Sequence, residues 1–406
     1  MFNNPQSQNF VVNSMFITLM FTFLYLSILY SSAFIFIPTT LIVFSLTRMR
    51  NLSVYFSFLI AILFIGTVAS FKTSEGDLIA YERYFTYVSE STIYTVLFEF
   101  FSSSSIRVTE FIFKLHNIFL SSLGMNFTVF HSATVSLIYL AMFFFGLSVL
   151  RVFPENKENV LFNTYQDKVF AILWIFLVGV SFTLTSQVLK QYLSIAFMAI
   201  GFAYILKENK ILKPFLFFLL SIFTHNASII LMALVLTAYI FQKAIRNLYF
   251  KIFLLILAFI LGFLFASVIE ALGLSTLLSY GGIEEANFGI TAIFDLILLS
   301  VLFAIKQQKN KKNIELFFAV IFIFICFMIF AREIPILFLR IYFYMEIFRI
   351  FAGIYIYKSL NNKDKNLLFV FIIFFGPIYW NLKLFSSSWD YGLYTLTDNF
   401  IKFLSG

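Results

Sequence analysis

Charge is scarce in this chain. Only 12% of its 406 residues are Asp, Glu, Lys or Arg, against about 25% in an ordinary soluble domain. With 61% hydrophobic residues and a mean hydropathy of +0.94, a soluble globular fold is excluded, because too little polar surface remains to meet water. Cysteine is almost absent. The single Cys326 lies inside an apolar run, which excludes an intramolecular disulfide and a cysteine-rich metal site. Histidine is limited to His116, His131 and His225, too scattered for a metal-ligand signature, so neither a metal nor a cofactor is expected. The first ten residues lack a basic stretch and no small-residue cleavage site follows; a cleavable signal peptide is not expected.

What the chain has instead is apolar length. Blocks of about 20 apolar residues, each able to cross a ~30 Å hydrocarbon core, recur from Phe10 to Leu384. The runs are continuous rather than alternating, which argues against a β-barrel. The expected fold is all-α, a polytopic transmembrane bundle of about 12 spans plus a re-entrant hairpin, forming one integral membrane domain over 1–406. The spans fall at 11–30, 33–47, 53–71, 130–150, 168–184, 188–206, 250–270, 290–305, 314–331, 340–358 and 367–383, with a broken segment at 214–242. The 61 phenylalanines read as lipid-facing and core filler.

The net charge of +8 does not indicate nucleic acid, because the basic residues sit in short clusters between apolar spans, as the positive-inside rule requires. One alternation of spans places Arg48, Arg151, Lys207, Arg246, Lys309 and Lys358 with their neighbours on the inner side. These loops hold 18 of the 28 basic residues and 6 of the 20 acidic ones. The N-terminus is expected in the cytoplasm and the C-terminus outside. Two external loops follow, at about 72–129 and 271–289. The first carries an amphipathic stretch around Ile106, Phe113 and 117–120 that suits an interfacial helix; the second has four glycines.

Charged and polar residues at bilayer depth usually face water or a partner, and four groups qualify. Lys72 to Asp77, with Tyr81 and Arg83, reads either as a solvated loop with an N-cap at Asp77 or as a carboxylate and an arginine at the mouth of an external cavity. Gln187, Lys190, Gln191 and Ser194 share one helical face by their spacing. Lys190 is either a snorkelling lysine or part of a cavity wall. Thr224-His225-Asn226 interrupts the 214–242 segment, whose 29 residues fall short of the roughly 40 that two crossings need. His225 therefore sits at the tip of a re-entrant hairpin, either as a satisfied core histidine or as a functional one. The last group is Arg332, Glu333, Arg340, Tyr344, Glu346 and Arg349. Glu346 and Arg349 are spaced to neutralise each other, whereas Arg340 and Tyr344 lie on the opposite face. Arg340 has no carboxylate on its own turn and suits an anion such as phosphate.

Several of these stretches resemble a known family. Lys190-Gln-Tyr-Leu-Ser-Ile-Ala, Lys207-Glu-Asn-Lys and Phe223-Thr-His225-Asn-Ala-Ser resemble the EpsG family of Wzy-type polysaccharide polymerases. Glu75-Gly76-Asp77 with Tyr81 resembles its Gly-x-Asp-x-x-x-Tyr element, and Arg340-Ile-Tyr-Phe-Tyr344 its late Arg-x-x-Tyr-Phe element. Lys190 stands where that family usually has Arg. The resemblance implies a polymerase of a bacterial surface polysaccharide (O-antigen, capsule or exopolysaccharide) in the inner membrane. The glycan would pass from an undecaprenyl diphosphate donor to a sugar hydroxyl of another lipid-linked unit, on the periplasmic side. His225 and Asp77 are then the catalytic candidates, and Lys190, Gln191, Arg83, Arg332, Arg340 and Tyr344 the substrate-binding ones. Membrane lipids, a flippase and a chain-length regulator are the partners expected beside the lipid-linked oligosaccharide. The alternatives are a transporter or flippase of the same lipid-linked sugar, and an O-antigen-ligase-like or acyl transferase; a purely structural scaffold would not need Lys190, His225 and Arg340 in apolar surroundings.

Overall fold

The computed structural model of the chain describes residues 51–70, 72, 76–91, 94–95, 110–153, 160–207, 212–271, 290–305 and 312–386. Among them all regular structure is helical. The expected spans at 11–30 and 33–47 and the glycine-rich loop from 272 to 289 lie outside the described residues.

The bundle centres on a long helix, α4 (Phe127–Val152), which packs along α1 (Asn51–Ser70) and α6 (Leu189–Lys207). Asn126 caps α4, its side chain accepting from the Val129 N–H at 2.9 Å, which satisfies one of the otherwise unpaired donors of the first turn. Gly66 lets α1 approach: a Cβ there would lie 2.1 Å from Ser136 Oγ and 2.5 Å from the Ser132 carbonyl. Small residues at such contacts allow close backbone packing between membrane helices.

Among the described residues four stretches are long and apolar enough to cross a bilayer: Phe127–Val152, Leu189–Lys207, Leu248–Phe265 and Asn313–Ala331. The first, second and fourth are largely enclosed by protein. The third, in α9 (Leu248–Ala271), is only 6% buried and leaves its apolar surface exposed. α5 (Val160–Trp174) runs into a π-helical turn at Ile175–Gly179; such turns are rare. After α9 come α10 (Ile290–Ala304), α11 (Lys312–Ala331), α12 (Pro335–Tyr342), α13 (Met345–Ser359) and α14 (Asn362–Ser386). Pro335 opens α12 at a position where the missing N–H costs nothing. The expected single span at 340–358 is instead two helices, α12 and α13, with a break at Phe343-Tyr344.

The 214–242 segment does form a hairpin, of α7 (Leu212–Thr224) and α8 (Ala227–Phe241). In one continuous helix Ser221 and Ser228 would be about 10 Å apart along the axis; their hydroxyls are 2.8 Å apart. α7 runs antiparallel to α6, with Phe218 beside Phe202 and Ser221 beside Ser194. α8 returns to the basic end, where Arg246 pairs with Glu315 at the start of α11. At 1.5 Å per residue the two limbs are about 20 and 22 Å long, so each stops short of a full crossing.

The 72–129 region is more than a loop. It holds α2 (Asp77–Glu90) and α3 (Phe111–Ser122), both amphipathic. Leu78, Tyr81, Phe85 and Val88 face inward from α2; Phe113, Asn117 and Leu120 do so from α3. The N-cap of α2 is Gly76, not Asp77, which is the first helical residue.

Candidate active site

The starts of α6 and α3, the hairpin tip and the end of α12 bring four chemistry-bearing residues together. His225 forms the tip. Its backbone N–H donates to the Ser221 carbonyl at 3.0 Å and its own carbonyl accepts from the Ser228 N–H at 3.1 Å. These bonds fix the backbone, while the ring atom Nε2 is buried with no hydrogen-bond partner. The charged side chains that bear on the ring are Lys190, Arg340 and Glu110. Lys190 Nζ pairs with Glu110 Oε1 at 2.6 Å, both side chains about one-fifth exposed. Arg340 is exposed, and its carbonyl accepts from Gln191 Nε2 at 2.5 Å. Gln191 thus holds the α12 backbone rather than opening into a cavity. Tyr84 on α2 completes the mouth: its phenol is pushed up to about 12, first by burial and then by Tyr87 and the Glu110 carboxylate.

A floor of hydroxyls lies beneath. Ser194 of α6, Ser221 of α7, Ser228 of α8 and Tyr344 are all completely buried. Tyr344 Oη is 2.6 Å from Ser228 Oγ and 3.1 Å from Ser194 Oγ; Ser194 Oγ is 2.9 Å from Ser221 Oγ and also contacts Ser228 Oγ. Four elements are pinned at one point, which fixes the depth of the His225 tip. Tyr344, expected at the substrate, belongs to this floor. Its i, i+4 relation to Arg340 is broken by the kink between α12 and α13, so Arg340 faces outward and Tyr344 inward.

The remaining sequence candidates separate from this cluster. Asp77 and Arg83 are exposed on α2, and the described hydrogen bonds and ion pairs link neither to the four residues. Arg332 pairs with its neighbour Glu333 at 3.8 Å on an exposed turn. Lys72 is not in a solvated loop: it is buried and donates to Gln187 Oε1 at 2.6 Å. Gln187 therefore leaves the expected polar stripe of α6 and serves the α1 end.

Arg349 and Glu346 do not neutralise each other. Arg349 forms a fork with Asp295 of α10, Nε to Oδ1 at 2.6 Å and Nη2 to Oδ2 at 2.7 Å, and Tyr342 Oη donates to Asp295 Oδ2 at 2.6 Å. Glu346 Oε1 accepts from the Ser181 N–H at 2.9 Å and from Tyr192 Oη at 2.7 Å. A planar guanidinium matches a carboxylate bidentately, and the carboxylate one turn away on the same helix cannot offer that geometry. Sequence reasoning missed Asp295 and the role of Glu110. Asp295 had a signal, a lone acid inside an apolar span; Glu110 had none beyond its place in an amphipathic stretch.

Among the described residues no group of three His, Cys, Asp or Glu side chains is placed to hold a metal ion. The arrangement offers an imidazole with a buried, unpartnered nitrogen, and two cations and one carboxylate whose charges bear on it. This suits proton abstraction from a hydroxyl together with binding of a polyanion. No curated protein and no solved structure matches the chain. A family model, that of the EpsG family, matches residues 54–396. With more than four-fifths of its length covered by that match, and with its helical membrane architecture, the chain belongs to the EpsG family.

Proposed function

We propose that the chain is a glycosyltransferase that polymerises a bacterial surface polysaccharide in the inner membrane, using undecaprenyl-diphosphate-linked glycan as donor and a second lipid-linked repeat unit as acceptor. Membership of the EpsG family supports the polymerase class. The observation that carries the mechanism is His225: a buried, unpartnered Nε2 at the tip of the hairpin, with the charges of Lys190 and Arg340 bearing on it. The acceptor hydroxyl oxygen attacks the donor's anomeric carbon. The new glycosidic C–O bond forms as the bond to the diphosphate breaks, and the hydroxyl proton passes to His225. Undecaprenyl diphosphate leaves with its negative charge, which Lys190 and Arg340 stabilise. Asp77 and Arg83 on α2 and Arg332 on its turn belong to the approach rather than to the reacting centre. The reaction faces the periplasm, with the N-terminus in the cytoplasm and the C-terminus outside. A flippase that delivers the units and a chain-length regulator are the partners this role calls for.

The test is purified protein in liposomes with lipid-linked repeat units and no ion gradient. Lengthened glycan supports a polymerase; a transporter would move the lipid without extending it, and a ligase would transfer it to a different acceptor. His225→Gln keeps a hydrogen-bonding group but cannot serve as a base near neutral pH, and positioned bases contribute about 10²–10⁴-fold. Turnover should fall by that factor with normal protein level. Full activity in His225→Gln would leave His225 only a structural part.

A further inference from the structure

Glu110 is the one carboxylate among the charges that bear on His225, and it occupies the cation the leaving group needs. It stands at the N-cap of α3, yet its side chain makes no capping bond there; the carboxylate is turned across to Lys190, which is 80 residues away in sequence. Both side chains of the pair are about one-fifth exposed, so water and a polar ligand can reach them. Fully exposed ion pairs are worth about 0.2–1 kcal/mol, and this pair, with each side chain about four-fifths buried, lies toward the upper end of that range. A diphosphate carries more charge than one carboxylate and presents several acceptor oxygens, so it competes well for the same ammonium. The positive dipole end of its own helix α3 gives a displaced Glu110 a favourable place to move.

We propose that Glu110 is a displaceable counterion: it holds Lys190 in place while the site is empty, and the diphosphate of the incoming donor takes its position. The proposal rests on the polymerase reading for the identity of the donor, but not for the exchange itself. Glu110 is a positioning residue here, since it acts through Lys190. In the empty site it keeps the lysine stem from folding back toward lipid and keeps unrelated small anions from the cation. In the loaded site its carboxylate turns back to the α3 N-terminus, no longer neutralised by Lys190, and its charge still bears on the His225 ring, where positive charge develops as the acceptor proton arrives. Two cations and no carboxylate would oppose that proton; a bound diphosphate and a freed carboxylate do not.

The measurement is binding of undecaprenyl diphosphate, and separately of inorganic diphosphate, to the full-length protein in nanodiscs. Glu110→Gln should tighten both about 2–5-fold, because the competing charge is gone. Lys190→Gln should weaken both. In the Lys190→Gln background the Glu110 effect should vanish, since a double-mutant cycle isolates a pair that acts as a unit. Glu110→Asp, which keeps the charge on a side chain one methylene shorter, should behave like Glu110→Gln and covers the case in which that variant folds poorly. Weaker diphosphate binding in Glu110→Gln, or an effect that survives without Lys190, overturns the exchange. Tighter binding of both probes with no extension of lipid-linked glycan by wild type upholds the exchange and overturns the polymerase reading. Binding of neither probe by wild type overturns both.

Discussion

Asp295→Asn is the substitution whose cost the structure defines most directly. The wild-type carboxylate meets Arg349 through two bonds of 2.6 and 2.7 Å and accepts a third from Tyr342, while the side chains of the ion pair are only 2% and 3% exposed. Asparagine keeps the shape but removes the charge and turns one acceptor oxygen into a donor. Arg349 is then left with the carbonyls of Gly179 and Val178, at 3.4 and 3.5 Å, which cannot neutralise it. Removing one partner of a buried pair costs about 3–5 kcal/mol, more than a hundredfold in the folded-to-unfolded ratio. Replacing both partners with apolar groups of similar size is often neutral or better. SDS titration of the purified protein in mixed micelles should therefore show a large drop in the unfolding midpoint for Asp295→Asn. Asp295→Leu combined with Arg349→Met should recover most of it. An Asp295→Asn midpoint equal to wild type, or a double variant no better than the single, would refute the assignment of this pair as the lock between α10 and α13.

Three further outcomes are expected. With Cys326 replaced by Ser, a cysteine at Ser89 on α2 should react with a membrane-impermeant maleimide in intact cells, whereas one at Asn247 should react only after lysis; the reverse pattern inverts the topology. Gly353→Ala should destabilise the bundle by about 1–3 kcal/mol or more, because the added Cβ would fall 2.0 Å from the rigid Trp174 indole; an unchanged SDS midpoint would mean that the indole has room to move. Burial lowers His116 to about 4, below the usual 6.5. The folded state therefore favours the neutral ring, and its contribution is complete above pH 6.5 and lost as pH falls toward 4. Hydrogen exchange of α3 should accelerate between pH 6.5 and 4.5 relative to α4, and His116→Asn should remove that difference.

The sequence alone determined that this is a helical membrane protein, where four of its long apolar helices run, and that residues 214–242 fold back as two short helices. These follow from quantities local to a segment: apolar length against a fixed hydrocarbon thickness, and the prohibition on unpaired backbone in lipid. The same local logic singled out Lys190, His225 and Arg340 as costly residues at depth, and the structure gathers these three at one mouth. Only the tertiary structure decided how the charges pair. Lys190 meets Glu110, Lys72 meets Gln187 115 residues away, and Arg349 takes Asp295 instead of the glutamate one turn off on its own helix. Helical spacing proposes neighbours on one helix, but in a dry interior a charge goes to the partner with the best bonding geometry, whatever its distance along the chain. The break at Phe343-Tyr344 shows the same limit: an apolar run reads as one span, yet hydrogen bonding of Tyr344 with Ser228 of the hairpin and Ser194 of α6 turns one side chain to the floor and leaves Arg340 at the mouth.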